Sequence, residues 1–158
     1  MAVELRTVAP RPTAVVRQTT TWKEFPGLWG QLLDEVYRFV RRQPELAPEQ
    51  EPELWRNAFL YLDDQPTIEI GVLVARSFEP HGLVVPSQLP GGQVATAVHR
   101  GDYAQMGRTH QALNDFIAAE GLVRLGPSWE LYGHWREDPS ELETEIYYLV
   151  NANERPRA

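Results

Sequence analysis

The sequence predicts an α+β domain of two β-α-β-β halves. It would hold two antiparallel sheets with covering helices, a pseudo-twofold axis and a ligand cleft between the halves. Three observations predict this. Thr13-Ala14-Val15-Val16-Arg17 returns almost unchanged as Thr96-Ala97-Val98-His99-Arg100, 83 positions later. Each copy leads through polar residues into a run of helical period. Two strand-like runs follow each helix, and Ile68-Glu69-Ile70-Gly71-Val72-Leu73-Val74 is echoed 76 positions on by Thr144-Glu145-Ile146-Tyr147-Tyr148-Leu149-Val150. A repeat of this kind decides the architecture before any single element does. One domain over residues 1–150 follows, with halves at about 3–78 and 93–150, a size suited to a single core.

Residues 13–17 are apolar and β-branched, a strand. Residues 28–42 form the first helix, because Trp29, Leu32, Leu33, Val36, Phe39 and Val40 fall on one stripe at 3.6-residue spacing. Pro44, Pro48 and Pro52 make residues 41–53 a loop. Residues 57–62 and 67–75 read as strands around the turn Asp63-Asp64-Gln65-Pro66. Residues 79–93 are rich in Pro and Gly but contain Leu83-Val84-Val85, so they read as a packed crossover between halves. The second half repeats the order. After strand 96–100, Gly101 permits a bend and Asp102 caps a helix over 103–120, whose stripe is Met106, Leu113, Phe116 and Ile117. Strands at 129–135 and 144–150 follow. Gly30 with Gly107, and Phe39 with Phe116, match at 77 positions, which places six extra residues in the first half, near 19–26. Residues 151–158 are polar and read as a flexible tail.

The chain of 158 residues carries 15 basic and 22 acidic side chains, a net charge of −7. That balance repels phosphate backbones, and no basic stripe or helix-turn-helix appears, so direct nucleic-acid binding is not expected. With no cysteine, disulfides, thiol chemistry and cysteine-ligated zinc are excluded. His81, His99, His110 and His134 lack metal-ligand spacing, so no metal is expected. No phosphate loop, dinucleotide fingerprint or nucleophile elbow is present, so no cofactor is expected either. The N-terminus lacks a signal-peptide pattern and no apolar run is long enough to span a bilayer, which predicts a soluble cytoplasmic protein without membrane contact.

The last strand carries the most chemistry. Alternation places Glu143, Glu145, Tyr147 and Leu149 on one face and Thr144, Ile146, Tyr148 and Val150 on the other. Both faces are apolar enough to be covered, so Glu145 is expected to be partly desolvated and in want of a cation, which a ligand could supply. Glu69 is its partner in the repeat, with Gly71 where the second half has Tyr147; the missing side chain would leave room. Tyr61, Tyr103, Trp129, Tyr132, Trp135 and Tyr147 lie on strands or at strand–helix junctions, where rings can cage a delocalised cation. His110 falls on the apolar stripe of the second helix and reads as a core-edge histidine.

The run from Pro90-Gly91-Gly92 through His99-Arg100-Gly101-Asp102-Tyr103 resembles the GyrI-like small-molecule-binding domain. So do Gly126-Pro127-Ser128-Trp129-Glu130-Leu131-Tyr132 and Thr144-Glu145-Ile146, in that order, over about residues 3–150. The resemblance implies an effector-binding fold that occurs in transcription regulators and as stand-alone proteins. It also implies a pocket for lipophilic cations and planar drugs. By the resemblance a last-strand glutamate is the electrostatic anchor, which is Glu145 here, and Tyr103 and Tyr132 stand at motif positions. Three functions stay open: a module that senses or sequesters organic cations; a hydrolase of reactive cyclopropane-type genotoxins, with Glu145 as the catalytic carboxylate; and a gyrase-inhibitor-like protein that works through a protein partner.

Overall fold

The computed structural model describes residues 2–49 and 55–152. In chain order its elements are β1 (Glu4–Val8), β2 (Arg11–Thr19), α1 (Phe25–Val40), β3 (Asn57–Tyr61), β4 (Thr67–Leu73), β5 (Val85–Leu89), β6 (Gly92–Arg100), α2 (Met106–Ala119), β7 (Leu122–Tyr132) and β8 (Glu143–Ala152). β8 runs two residues into the segment read as a tail; beyond Ala152 that segment lies outside the described residues. α1 begins a turn earlier than its apolar stripe, with Pro26 in its first turn, where a missing N–H costs nothing.

The strands form one antiparallel sheet, in the order β1-β6-β8-β7-β3-β4-β2-β5, in place of the two sheets read from the sequence. β3 pairs with β7, from Ala58 opposite Leu131 to Tyr61 opposite Ser128, and this seam joins the halves through their main chains. Separate sheets would leave two further rows of backbone donors and acceptors unpaired. Counted outward from the seam, β7, β8 and β6 hold the places that β3, β4 and β2 hold on the other side.

Two strands add to those read from the sequence: β1, and β5 inside the supposed crossover. β1 and β2 are separated only by Ala9 and Pro10, yet stand far apart in the order; β5 and β6 do the same across Pro90 and Gly91. The register explains this. Glu4 faces Thr96, Val8 faces Gly92, Arg11 faces Leu89 and Val15 faces Val85, so the two segments form one continuous antiparallel ribbon. Two residues span at most about 7 Å, so the sheet curls until its ends meet and the ribbon closes over one face. At the crossing a Cβ on Gly91 would lie 2.5 Å from Cδ of Pro10, a contact only glycine allows.

The two faces are therefore covered differently. On one, α1 lays Leu32, Leu33, Val36 and Val40 over Ile68, Ile70 and Val72, while α2 lays Leu113 and Ile117 over Ala95, Ala97 and Ile146. On the other, Leu60, Leu73, Leu89, Val94, Trp129, Leu131 and Tyr147 pack together beneath the ribbon with no helix. Gly71 lies opposite Val15 of β2, and the room its missing side chain was expected to leave is taken: a Cβ there would lie 1.7 Å from the Ala14 carbonyl oxygen. Among the described residues no helix is long and apolar enough to cross a membrane.

Candidate functional site

α1 packs on β2 and β4, and α2 packs on β6, β7 and β8. Between them the seam is left open on the helix side as a cleft of about 580 Å³. Phe25 and Trp29 of α1 form one wall, Tyr103 in the 3-10 turn before α2 and Met106 at its start the other; Phe59 of β3 and Tyr132 of β7 are the floor, and His134 and Trp135 the rim. Phe59 meets Tyr132 edge-to-face at 5.1 Å, and Tyr103 meets Tyr132 likewise at 5.6 Å. Residues 19–26 bring Trp22 and Phe25 onto Tyr61, with ring centroids 5.6 and 5.9 Å away.

Glu130 lies beneath this floor. Phe59 and Ile146 flank it on β3 and β8, which puts its side chain on the helix face, and the residue is only 5% exposed. The hydroxyls of Tyr61 and Tyr132 donate to its Oε1 at 2.9 and 2.8 Å, and Nε2 of His110 donates to its Oε2 at 2.9 Å. Among the described residues no Lys or Arg pairs with it. Burial, and next the negative charge of Glu130, push the Tyr61 and Tyr132 phenols above the ordinary phenol range. Both therefore stay protonated and keep donating. The result is a buried anion one phenol away from an aromatic cleft, with an imidazole as the one basic group paired with it among the described residues.

The residues singled out in the sequence divide between the two faces. Tyr103, Tyr132 and Trp135 line the cleft, and Tyr61 joins it through Glu130. Glu145, Tyr147, Trp129 and Glu69 lie on the ribbon side. Trp129 and Tyr147 stack with ring centroids 5.4 Å apart, both buried. Glu69 accepts from the Ser87 hydroxyl at 2.5 Å and lies 3.7 Å from Nη1 of Arg17. Glu145 accepts from Nη2 of Arg56 at 2.8 Å and from the Tyr147 hydroxyl at 2.5 Å. Its cation is thus a side chain of the protein. Arg56 also donates to the Tyr132 carbonyl at 3.1 Å.

Glu130 and His110, which meet beneath the cleft, were not singled out as ligand residues. One signal for Glu130 was present: Glu130 and Tyr132 alternate onto one face within the quoted Trp129-Glu130-Leu131-Tyr132 motif. For His110 no signal separates a ligand-side residue from a core-edge one without knowing what it packs against.

Burial opposes ionisation of Glu145, but the Tyr147 hydroxyl and Arg56 outweigh it and hold the carboxyl below the usual glutamate range. A group depressed in the folded state stabilises above its unfolded pKa and loses that contribution as pH falls through its folded value. Glu145→Gln is therefore expected to lower stability by about 1–2 kcal/mol at pH 7, measured by urea unfolding. The two proteins should converge in strong acid, and the affinity of the cleft for a cation should change less than about threefold, under 0.7 kcal/mol.

A family model, the GyrI-like small molecule binding domain, matches residues 1–150. The C-terminal domain of EcmrR is similar in structure, with a TM-score of 0.79 at 17% identity, covering 96% of this chain and 98% of that one. SAV2435 bound to tetraphenylphosphonium is similar at a TM-score of 0.66 and 14% identity, covering 96% and 94%. A hydrolase encoded by lin2189 from Listeria innocua is similar at 0.62 and 12%, covering 94% and 91%. At these identities the likenesses show the fold. No curated protein matches the sequence.

Proposed function

The chain belongs to the GyrI-like small-molecule-binding domain family, and on that premise we propose that the cleft between α1 and α2 binds flat, lipophilic organic cations. The observation that carries this is Glu130, a buried carboxylate that no Lys or Arg among the described residues neutralises. A buried charge with no fixed opposite charge beside it is costly even when hydrogen-bonded, and a cation against Tyr132 and Phe59 would relieve that cost. Each ring in contact with it would add about 0.5–2 kcal/mol. Glu145 and Glu69, by contrast, already face Arg56 and Arg17. The tetraphenylphosphonium held by SAV2435 is a lipophilic organic cation, tetrahedral and not flat, and supports the charge and lipophilicity of the proposed ligand.

The geometry supports binding better than hydrolysis. A carboxylate offers about four acceptor positions, and three donors from inside the protein already occupy Glu130. Little is left to orient a water in the cleft.

Two dyes that share a xanthene frame test the sign of the site. Rhodamine 6G, a cation, is expected to bind saturably in a fluorescence-anisotropy titration at pH 8 and to be displaced by tetraphenylphosphonium. Fluorescein, an anion, should bind at least about tenfold more weakly, a difference of 1.4 kcal/mol. Equal affinity for both would remove the electrostatic anchor, and no saturable binding would remove the cleft as a cation site.

A further inference from the structure

Resting on the reading of the cleft as a cation site, we propose that His110 is its specificity-determining residue: the protonation of His110 decides whether the cleft selects organic cations or neutral aromatic molecules. His110 projects from α2 between two partners. Its Nε2 meets Glu130 Oε2 at 2.9 Å, and its Nδ1 meets the Tyr148 hydroxyl at 2.5 Å. Among the described residues, Glu130 is the acidic group within ion-pairing distance of this ring.

Both protonation states fit these contacts without moving a heavy atom. The carboxylate can only accept, so Nε2 carries hydrogen in either state. When the ring is neutral, Nδ1 accepts from the Tyr148 hydroxyl. When it is protonated, Nδ1–H donates to the same oxygen and the hydroxyl proton turns away. The difference between the states is therefore charge. A neutral His110 leaves Glu130 as a net anion under the floor of the cleft; a protonated one cancels it. Histidine is the side chain whose charge ordinarily changes between pH 5 and 8.

The surrounding groups do not supply the same switch. From β7, Arg124 lies across the Tyr148 ring, 4.5 Å from its centroid, and donates to Asn114 of α2. Tyr61 of β3 and Tyr132 of β7 reach His110 only through Glu130, and burial first, then that carboxylate, pushes both phenols up, so they stay neutral throughout. Tyr148 of β8 is likewise pushed up, by burial, with Arg124 opposing. His99 is tied to Thr109 and to the Asp102 carbonyl, and His81 stacks on Phe39. His134 is the rival, because it lies on the rim of the cleft and would also repel a cation when charged.

Tetraphenylphosphonium tests this, because its charge does not depend on pH. Its affinity for the wild type is expected to fall more than tenfold between pH 8 and pH 5.5. Calorimetry in buffers of different ionisation enthalpy should detect protons released on binding within that pH range, since linkage is reciprocal. In His110→Gln the affinity should vary less than threefold over that range with no proton release, whereas His134→Gln, whatever its absolute affinity, should keep the more than tenfold fall and the proton release. Tight binding at pH 8 that persists at pH 5.5 without proton release would overturn the switch and leave the cation site standing. A pH dependence lost in His134→Gln and kept in His110→Gln would assign it to the rim instead. No binding at any pH would overturn the cation site and the switch together. If His110→Gln does not fold, the wild type and His134→Gln decide the matter: a pH dependence kept in His134→Gln supports the switch, and one lost there overturns it.

Discussion

Glu130→Gln is expected to weaken rhodamine 6G binding at pH 8 by at least about thirtyfold. Truncating one partner of a buried, hydrogen-bonded charge pair costs about 2–5 kcal/mol, and thirtyfold is the lower end of that range. Glutamine keeps the shape of the side chain but removes the charge. It also replaces one acceptor oxygen by an NH2 group, while the native pair of oxygens receives three donors, from Tyr61, Tyr132 and His110. Either the two phenols or the imidazole must then face a donor. The amide therefore costs stability as well as affinity, and circular dichroism at the titration temperature should be used to confirm that the variant is folded. Anisotropy titrations of Glu130→Gln and Glu145→Gln side by side are decisive. If the second loses more affinity than the first, the ligand sits on the ribbon side of the sheet and not between the helices.

Gly71→Ala is expected to lower the melting temperature by about 6–12 °C. Overpacking a well-packed interior costs about 1–3 kcal/mol, occasionally more, and a domain of this size loses about 2–4 °C per kcal/mol; the upper end applies because the obstacle is main chain. The new methyl carbon would meet the Ala14 carbonyl oxygen at 1.7 Å, its carbon at 2.7 Å and Val15 Cα at 2.8 Å. No side-chain rotation relieves such a contact, so β2 must separate from β4. Gly30→Ala is the matching control. Gly30 lies within α1, nothing stands within 4 Å of its added Cβ, and alanine there is expected to stabilise by about 0.4–1 kcal/mol. Thermal unfolding followed at 222 nm distinguishes them. A Gly71→Ala protein that melts with the wild type would mean that β2 and β4 are looser than their pairing indicates.

The cleft also explains why Glu69, Glu145 and Tyr147 on the ribbon side and the glutamate and tyrosines on the helix side must not be treated as one set. Glu145 and Glu130 both stand mid-strand among aromatic residues, and composition does not distinguish them. Their partners do. Glu145 spends its charge on Arg56, which in turn holds the Tyr132 carbonyl, so it supports the strand that carries the floor of the cleft. Glu130 has an imidazole and two phenols and, among the described residues, no Lys or Arg.

Local periodicity determined a good part of this protein. The stripe Leu32, Leu33, Val36, Val40 made α1 a helix with one buried side. The alternation of Glu145 and Tyr147 against Ile146 and Tyr148 sorted β8 into two faces, and the structure separates the same residues beneath the ribbon and beneath α2. The small-molecule-binding family was legible in the motifs around Gly91–Tyr103 and Gly126–Tyr132. Only the tertiary structure decided which face the helices cover, that β3 and β7 close one sheet instead of bounding two, and that Glu130, opposite Ile146, lies on the helix face beneath the floor of the cleft while Glu145, opposite Leu131, lies on the other face. The physical reason is that a period of two or of 3.6 is written in neighbouring residues, whereas register and strand order are set by packing and hydrogen bonds between segments many tens of residues apart. A side chain's face is a local property, and what that face looks onto is not.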